Sequence, residues 1–254
     1  MKLIAAIVFG VAAVALVTAV VAAPQSSSSP PANPAKSIAK LLDSRYRNLK
    51  TLRAVFLERY SEGSRESRVE SGTVYFRKPG RMRWEYDSPE KKLFIADGKT
   101  VWFYVPADRT VTKAPVKESS DWRTPLALLT GKADLSRLCS RVDLIEPKGT
   151  PAGHVVLRCL PRGEKEPKPA AGSSSAGDPT QLPGAGDFID VLLEVDSSNG
   201  DLADVRIRQA GGIEMEYRFG DWQQGMNLPD DMFQFHPPNG VAIVDGSALK
   251  DAAR

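Results

Sequence analysis

The chain has 254 residues, with 34 Lys and Arg against 31 Asp and Glu, and two cysteines. That near-balance of charge leaves no broad basic footprint for nucleic acid, and the one basic run, Arg65-Glu66-Ser67-Arg68, is interleaved with an acid and lacks aromatics, as in a solvated hairpin. Past its N-terminal apolar stretch the chain is long enough for one sizeable domain.

Met1-Lys2 precede an uncharged run from Leu3 to Ala23, followed by Pro24-Gln25 and a Ser/Pro/Ala tract to about Lys36. This order predicts a signal peptide over 1–22, cut after Ala22, and a flexible linker over 23–36. The run approaches the length of a membrane-spanning helix, so a retained anchor is the alternative. No cysteine lies near its end, which argues against a lipid-modified N-terminus, and no later stretch is apolar enough to span a bilayer.

From Ser37 to about Leu49, Ile38, Leu41, Leu42 and Tyr46 recur at helical spacing. Strands follow near 53–60, 69–77, 82–86, 92–96, 100–105 and 110–116, separated by turn residues such as Pro79-Gly80, Ser88-Pro89 and Asp97-Gly98. Alternation is strict in Arg81-Met82-Arg83-Trp84-Glu85-Tyr86-Asp87: Met82, Trp84 and Tyr86 share one face and every residue on the other is charged. Such a strand belongs to an antiparallel sheet with one apolar and one wet side. A helical period returns from Trp122 to about Leu138, opened by Thr124-Pro125 and carrying Leu126, Leu128 and Leu129.

Strands resume near 141–146 and 154–160, flanking the turn at Lys148–Gly153. Pairing them about that turn brings Cys139 and Cys159 within a few residues of register, which suits a disulfide in an exported protein; two buried free thiols are the alternative. Residues 161–186 are rich in Pro, Gly, Ser and Ala and read as a disordered surface loop. Further strands are expected near 188–195, 201–209 and 213–220, with Asn199-Gly200 and Gly211-Gly212 as hairpin turns, and a last structured piece at Phe233–Phe235. Ten or eleven strands are too many for a flat sheet, so they should curl into a barrel or half-barrel with helices over the open side: a mainly β, α+β domain over 37–245, followed by a tail at 246–254.

Catalytic constellations do not assemble. His154 and His236 have no acid at a telling spacing, the serines cluster in linkers, and His and Cys are too few for zinc. The glycines form no phosphate-binding pattern. The expectation is a non-enzyme with no cofactor and no metal.

Gly72–Trp84 (GTVYFRKPGRMRW), Ser88-Pro89, Asp97–Tyr104 (DGKTVWFY), Thr124–Leu129 (TPLALL) and Phe233–Val241 (FQFHPPNGV) resemble, in that order, the periplasmic outer-membrane lipoprotein carrier family, LolA. The resemblance runs over about 37–245, interrupted by the 161–186 loop. It implies an incomplete antiparallel β-barrel whose concave apolar face is closed by helices. It also implies a monomeric carrier that takes acylated lipoproteins from an inner-membrane ABC exporter to an outer-membrane receptor. A related half-barrel binding another amphiphile, or a sensor domain for envelope stress that binds lipoproteins, is the alternative.

Within that frame the trough candidates are Met82, Trp84 and Tyr86, joined by Val74, Phe76, Leu93, Ile95, Trp102 and Tyr104. Each could equally be ordinary core, and Val101, Phe103 and Val105 are an alternative inward set to Trp102 and Tyr104. Leu126, Leu128 and Leu129 would line the lid. The family places an arginine before the proline of its first conserved turn, where it bonds to the lid helices. Here Lys78 stands before Pro79 and Arg77 precedes it, so Lys78, or Arg77 by way of a bulge, is the latch candidate unless this chain latches otherwise.

Overall fold

Asn33 and Pro34 begin the ordered chain and show how its first element starts. In this computed structural model, which describes residues 33–63, 67–116, 129–130, 134–162 and 188–246, helix α1 spans Pro34–Arg47. The Asn33 side chain accepts from the Lys36 N–H, and proline at the first helical position forfeits no hydrogen bond. The helix therefore starts inside the stretch read as linker. The signal-peptide region, Leu126, Leu128 and almost all of the 161–186 loop and the 246–254 tail lie outside the described residues. Among the described residues no helix is long and apolar enough to cross a membrane.

The alternating runs become β1 (Thr51–Glu62), β2 (Arg68–Arg77), β3 (Arg81–Ser88), β4 (Lys92–Ala96), β5 (Thr100–Val105) and β6 (Thr110–Pro115). After them come α2 (Leu135–Leu138), β7 (Cys139–Ile145), β8 (His154–Pro161), β9 (Phe188–Asp196), β10 (Leu202–Gln209), β11 (Ile213–Gln224) and β12 (Ala242–Asp245). Among the described residues twelve strands form one sheet in the order β12-β6-β5-β4-β3-β2-β1-β11-β10-β9-β8-β7. Neighbours are antiparallel except β12, which runs parallel to β6. Among the described residues the sheet is open, with β12 and β7 as its edges. Two meanders are joined where β1 pairs with β11, aligning Phe56 with Phe219 and Glu58 with Tyr217.

Three details differ from expectation. Strand β12 was not anticipated, and the piece expected at Phe233–Phe235 is instead the end of a 3-10 turn over Asp230–Phe233. Of the helix expected from Trp122 to Leu138, the described part is Leu129-Thr130 and the short α2, capped by the Asp134 side chain.

Pairing register sorts side chains into two faces. The core face carries Leu52, Ala54 and Phe56 of β1 opposite Phe76, Val74 and Gly72 of β2, which in turn face Met82, Trp84 and Tyr86 of β3. Gly72 is required by close approach: a Cβ there would sit 1.9 Å from the Glu85 carbonyl oxygen. The face continues through Met215, Tyr217 and Phe219 of β11, Val205 and Ile207 of β10, Val191, Leu193 and Val195 of β9 and Leu157 of β8. Ala35, Leu42 and Tyr46 of α1, with Leu129 and Leu135, belong to the same apolar cluster.

Candidate functional site

Trp84 occupies the centre of the core face and is fully buried. Its ring meets Phe56, Phe76 and Tyr217 edge to face at centroid distances of 4.8, 6.0 and 5.5 Å, and Phe219 lies 6.2 Å away. Val74 and Phe76 are buried beside it and Met82 packs partly buried against the cluster. Beyond Phe56 the face turns polar. Tyr86 donates its hydroxyl to Glu58 at 2.7 Å, and Lys92 pairs with Glu70 at 2.6 Å. Both carboxylates are buried, so these partners offset a desolvation cost that would otherwise be large.

Four trough candidates are placed on the other side of the sheet. Trp84 pairs with Phe94, and Phe94 with Phe103, so Leu93, Ile95, Trp102 and Tyr104 point to the back face. Val101, Phe103 and Val105 are the inward set of β5. The back face of β4 and β5 is covered as well. Trp102 and Tyr104 each lie 5.5 Å from Phe235, and Phe233 and Leu228 are buried. The strap over 225–236 that carries these residues is pinned step by step. Thr51 donates to the Met226 carbonyl, Arg77 to that of Leu228 at 2.6 Å, and Arg83 to that of Met232 at 2.9 Å, while Arg81 pairs with Asp230. Arg81 and Arg83, which alternation had turned to solvent, are thus strap anchors.

At the β2–β3 turn the two latch candidates separate. Lys78 donates its ammonium to the carbonyl of Tyr46 and, at 3.0 Å, to that of Arg47. Both carbonyls lie at the C-terminal end of α1, where positive charge is favoured, and that of Tyr46 also accepts from the Leu49 N–H at 3.4 Å. Burial holds the Lys78 ammonium below the usual lysine range. Arg77, one residue earlier and on the opposite face, serves the strap. Gly80 of the same turn donates its N–H to the Thr130 carbonyl at 3.1 Å, which ties fully buried Leu129 to the turn.

Further polar links hold α1. Asp43 accepts from the Leu135 N–H at 3.1 Å, and burial pushes its carboxyl upward despite that bond. Arg45 pairs with Asp201 at 2.6 Å, and the Tyr46 hydroxyl accepts from the Leu202 N–H at 3.0 Å. Gly200, at a φ of +80°, makes the tight β9–β10 turn; a Cβ there would press on Leu41 at 3.1 Å. Cys139 and Cys159 are joined in a disulfide with a Cα separation of 5.4 Å, so the strand that follows α2 is bonded to β8.

These residues lie in a stretch that matches known proteins. Residues 47–150 match the family described as "Outer membrane lipoprotein carrier protein LolA". A protein of Methylococcus capsulatus named outer-membrane lipoprotein carrier protein is 26% identical over 197 residues, covering 77% of this chain and 82% of that protein. Its namesake in Dechloromonas aromatica is 28% identical over 199 residues, covering 78% and 83%. Over this stretch the chain is similar to the LolA carriers. A solved LolA superfamily protein of Nitrosomonas europaea is 12% identical, with a TM-score of 0.40, over 79% of this chain and 97% of that one. The matched stretch runs from the end of α1 into the β7–β8 turn, so it includes Lys78, Trp84 and Leu129.

The signal for the strap was present but misread. Phe233 and Phe235 alternate like a short structured piece, whereas Phe235 packs on Trp102 and Tyr104, more than a hundred residues earlier.

Proposed function

We propose that this chain is a periplasmic carrier that binds the acyl chains of lipoproteins against its core face and moves them from the inner to the outer membrane. The observation that carries the reading is the apolar face centred on Trp84, continuous over two meanders, together with a helix held by Lys78, Asp43, Arg45 and Tyr46 through polar bonds. Burying a methylene is worth about 0.8 kcal/mol, so one long acyl chain contributes on the order of 10 kcal/mol. A lipoprotein with several chains therefore leaves a membrane at a useful rate only when another apolar surface receives it. Polar bonds at the rim of such a surface can be exchanged for water at little net cost, which suits a cover that must open.

On this reading helices close the concave apolar face, with Leu126, Leu128 and Leu129 in the lid and Lys78 as its latch. Val74, Phe76, Met82, Trp84 and Tyr86 contribute the acyl-chain surface. The chain is exported through a cleaved signal peptide, works as a monomer and makes no covalent bonds. It receives cargo from an inner-membrane ABC exporter and hands it to an outer-membrane receptor.

The test is occupancy. Mature protein purified from a periplasmic extract should carry lipid detectable by mass spectrometry and should bind a fluorescent fatty-acid probe that lipoprotein displaces. Depletion should leave outer-membrane lipoproteins in the inner membrane. Normal sorting alongside probe binding would favour another amphiphile or a sensing role, and absence of both lipid and probe binding would remove the carrier.

A further inference from the structure

Trp84 poses a problem of its own. Its indole Nε1–H is fully buried and meets no hydrogen-bond acceptor among the described residues. Trp222, also on β11's side of the core, has its Nε1–H satisfied by the Leu202 carbonyl at 2.9 Å. The surroundings of Trp84 are the rings of Phe56, Phe76, Tyr217 and Phe219, whose faces accept an N–H only weakly. A buried indole normally finds a partner, and one left without costs stability, so an orphan donor on a candidate binding face calls for an acceptor from outside. The other polar groups nearby on β3 and β4 are engaged: the Tyr86 hydroxyl by Glu58 and the Lys92 ammonium by Glu70.

We infer that the Trp84 indole is the polar anchor of the core face and donates to a carbonyl oxygen of the bound lipid. The matching chemistry is the ester or amide that joins an acyl chain to the rest of its molecule. Such a group is a neutral acceptor with an apolar chain attached, and it fits a row of aromatic rings that would reject a charged headgroup. The inference rests on the carrier reading and sharpens it: the face selects acyl lipids over hydrocarbon chains of the same length. Because Trp84 is covered in this structure, the bond forms only when the cover has opened, and it replaces a missing interaction rather than an existing one.

The experiment uses the mature protein and two probes of equal chain length, monopalmitoyl glycerol and its ether counterpart hexadecyl glycerol, which lacks the carbonyl. The wild type should bind the ester about fivefold more tightly, the worth of one modest hydrogen bond. Trp84→Phe should keep the ring and lose the preference. In 15N-labelled wild type the Trp84 indole proton should move downfield with the ester and not with the ether. That arm needs no substitution at Trp84, since the other three indole signals are assigned with Trp102→Phe, Trp122→Phe and Trp222→Phe. Equal affinities with an unmoved indole signal would overturn the inference and leave the carrier intact. Failure of both probes to bind would overturn the carrier reading itself.

Discussion

On the core face of β3–β5, Trp84, Phe94 and Val101 share a cluster with α1 and Leu129, and the links from the β2–β3 turn to those segments are a lysine and one glycine N–H. On the back face of the same strands, Trp102 and Tyr104 lie against Phe235 of the 225–236 strap, which three arginines and Thr51 fasten at every second residue from Met226 to Met232. Both sides of β4 reach full burial at Phe94 and Ile95. The difference lies in attachment. Arginine's planar fork suits a fixed cover, while a lysine on helix-terminal carbonyls is a point charge that water can replace. The contrast holds at the β2–β3 turn, while at its other side α1 is also tied by Arg45 to Asp201.

The sharpest way to break this comparison is to truncate one aromatic on each side. Trp84→Ala should cost about 3–5 kcal/mol of unfolding free energy, as fully buried large-to-small changes do. Trp102→Ala should cost about 1–2 kcal/mol, because its ring is only half-buried. Urea unfolding reads both, and fatty-acid probe binding should fall only in the first. Comparable losses of probe binding would mean that the back face also receives ligand.

Much of this was legible in the chain, and the failures have a common cause. Strand β3 announced its two faces because its polar positions are charged. In β4 and β5, Leu93-Phe94-Ile95-Ala96 and Val101–Val105 are apolar at every position, so a two-residue period carries no phase. The phase is set by the turn at 89–91 and by a cover from the far end of the chain, neither of which alternation reports. The disulfide could be read because its cysteines flank a local turn. The separate duties of Lys78 and Arg77 followed from their opposite parity, but which partner each would meet required α1 and the strap in place.

Removing the disulfide tests the other meander. The bridge spans a sequence separation of 20, and Cys139→Ser with Cys159→Ser should lose about 3 kcal/mol by the loop-closure argument. The loss should appear in urea unfolding of the oxidised wild type against the double variant and vanish when both are measured under reducing conditions. It should leave the strap as resistant to protease as before.

The back face of that meander is covered by charge instead of a strap. Asp204 is buried between Arg206, Arg218 and Glu216, and burial, reinforced by Glu216 against the relief from Arg206, pushes its carboxyl up to about 7. Burial acts on Glu216 in the same direction, but its bonds to Arg218 and Asp204 and the charges of Arg218 and Arg206 together outweigh it and hold that carboxyl low. The folded state then binds more protons than the unfolded chain between the ordinary aspartate range near 4 and about 7. Stability from this group is present at the acid end and lost as pH rises. Asp204→Asn should remove that dependence, gaining on the wild type with rising pH by no more than about 1.4 kcal/mol per unit. A difference that is flat, or of opposite sign, between pH 4.5 and 7.5 would show that the carboxylate is ionised in the folded protein.

The smallest effect on stability bears most directly on function. Lys78→Met removes the ammonium from the Tyr46 and Arg47 carbonyls and should cost about 1 kcal/mol. If α1 is part of the cover, that loss falls on the closed state alone, and fatty-acid probe exchange in stopped flow should accelerate about fivefold. Lys78→Arg should restore slow exchange, since a guanidinium can reach the same two carbonyls. Arg77→Met removes a bond of similar size from the strap, so it should expose 225–236 to protease without changing probe exchange. Acceleration by Arg77→Met and not by Lys78→Met would reverse the assignment, making the strap the cover that moves and α1 the one that stays.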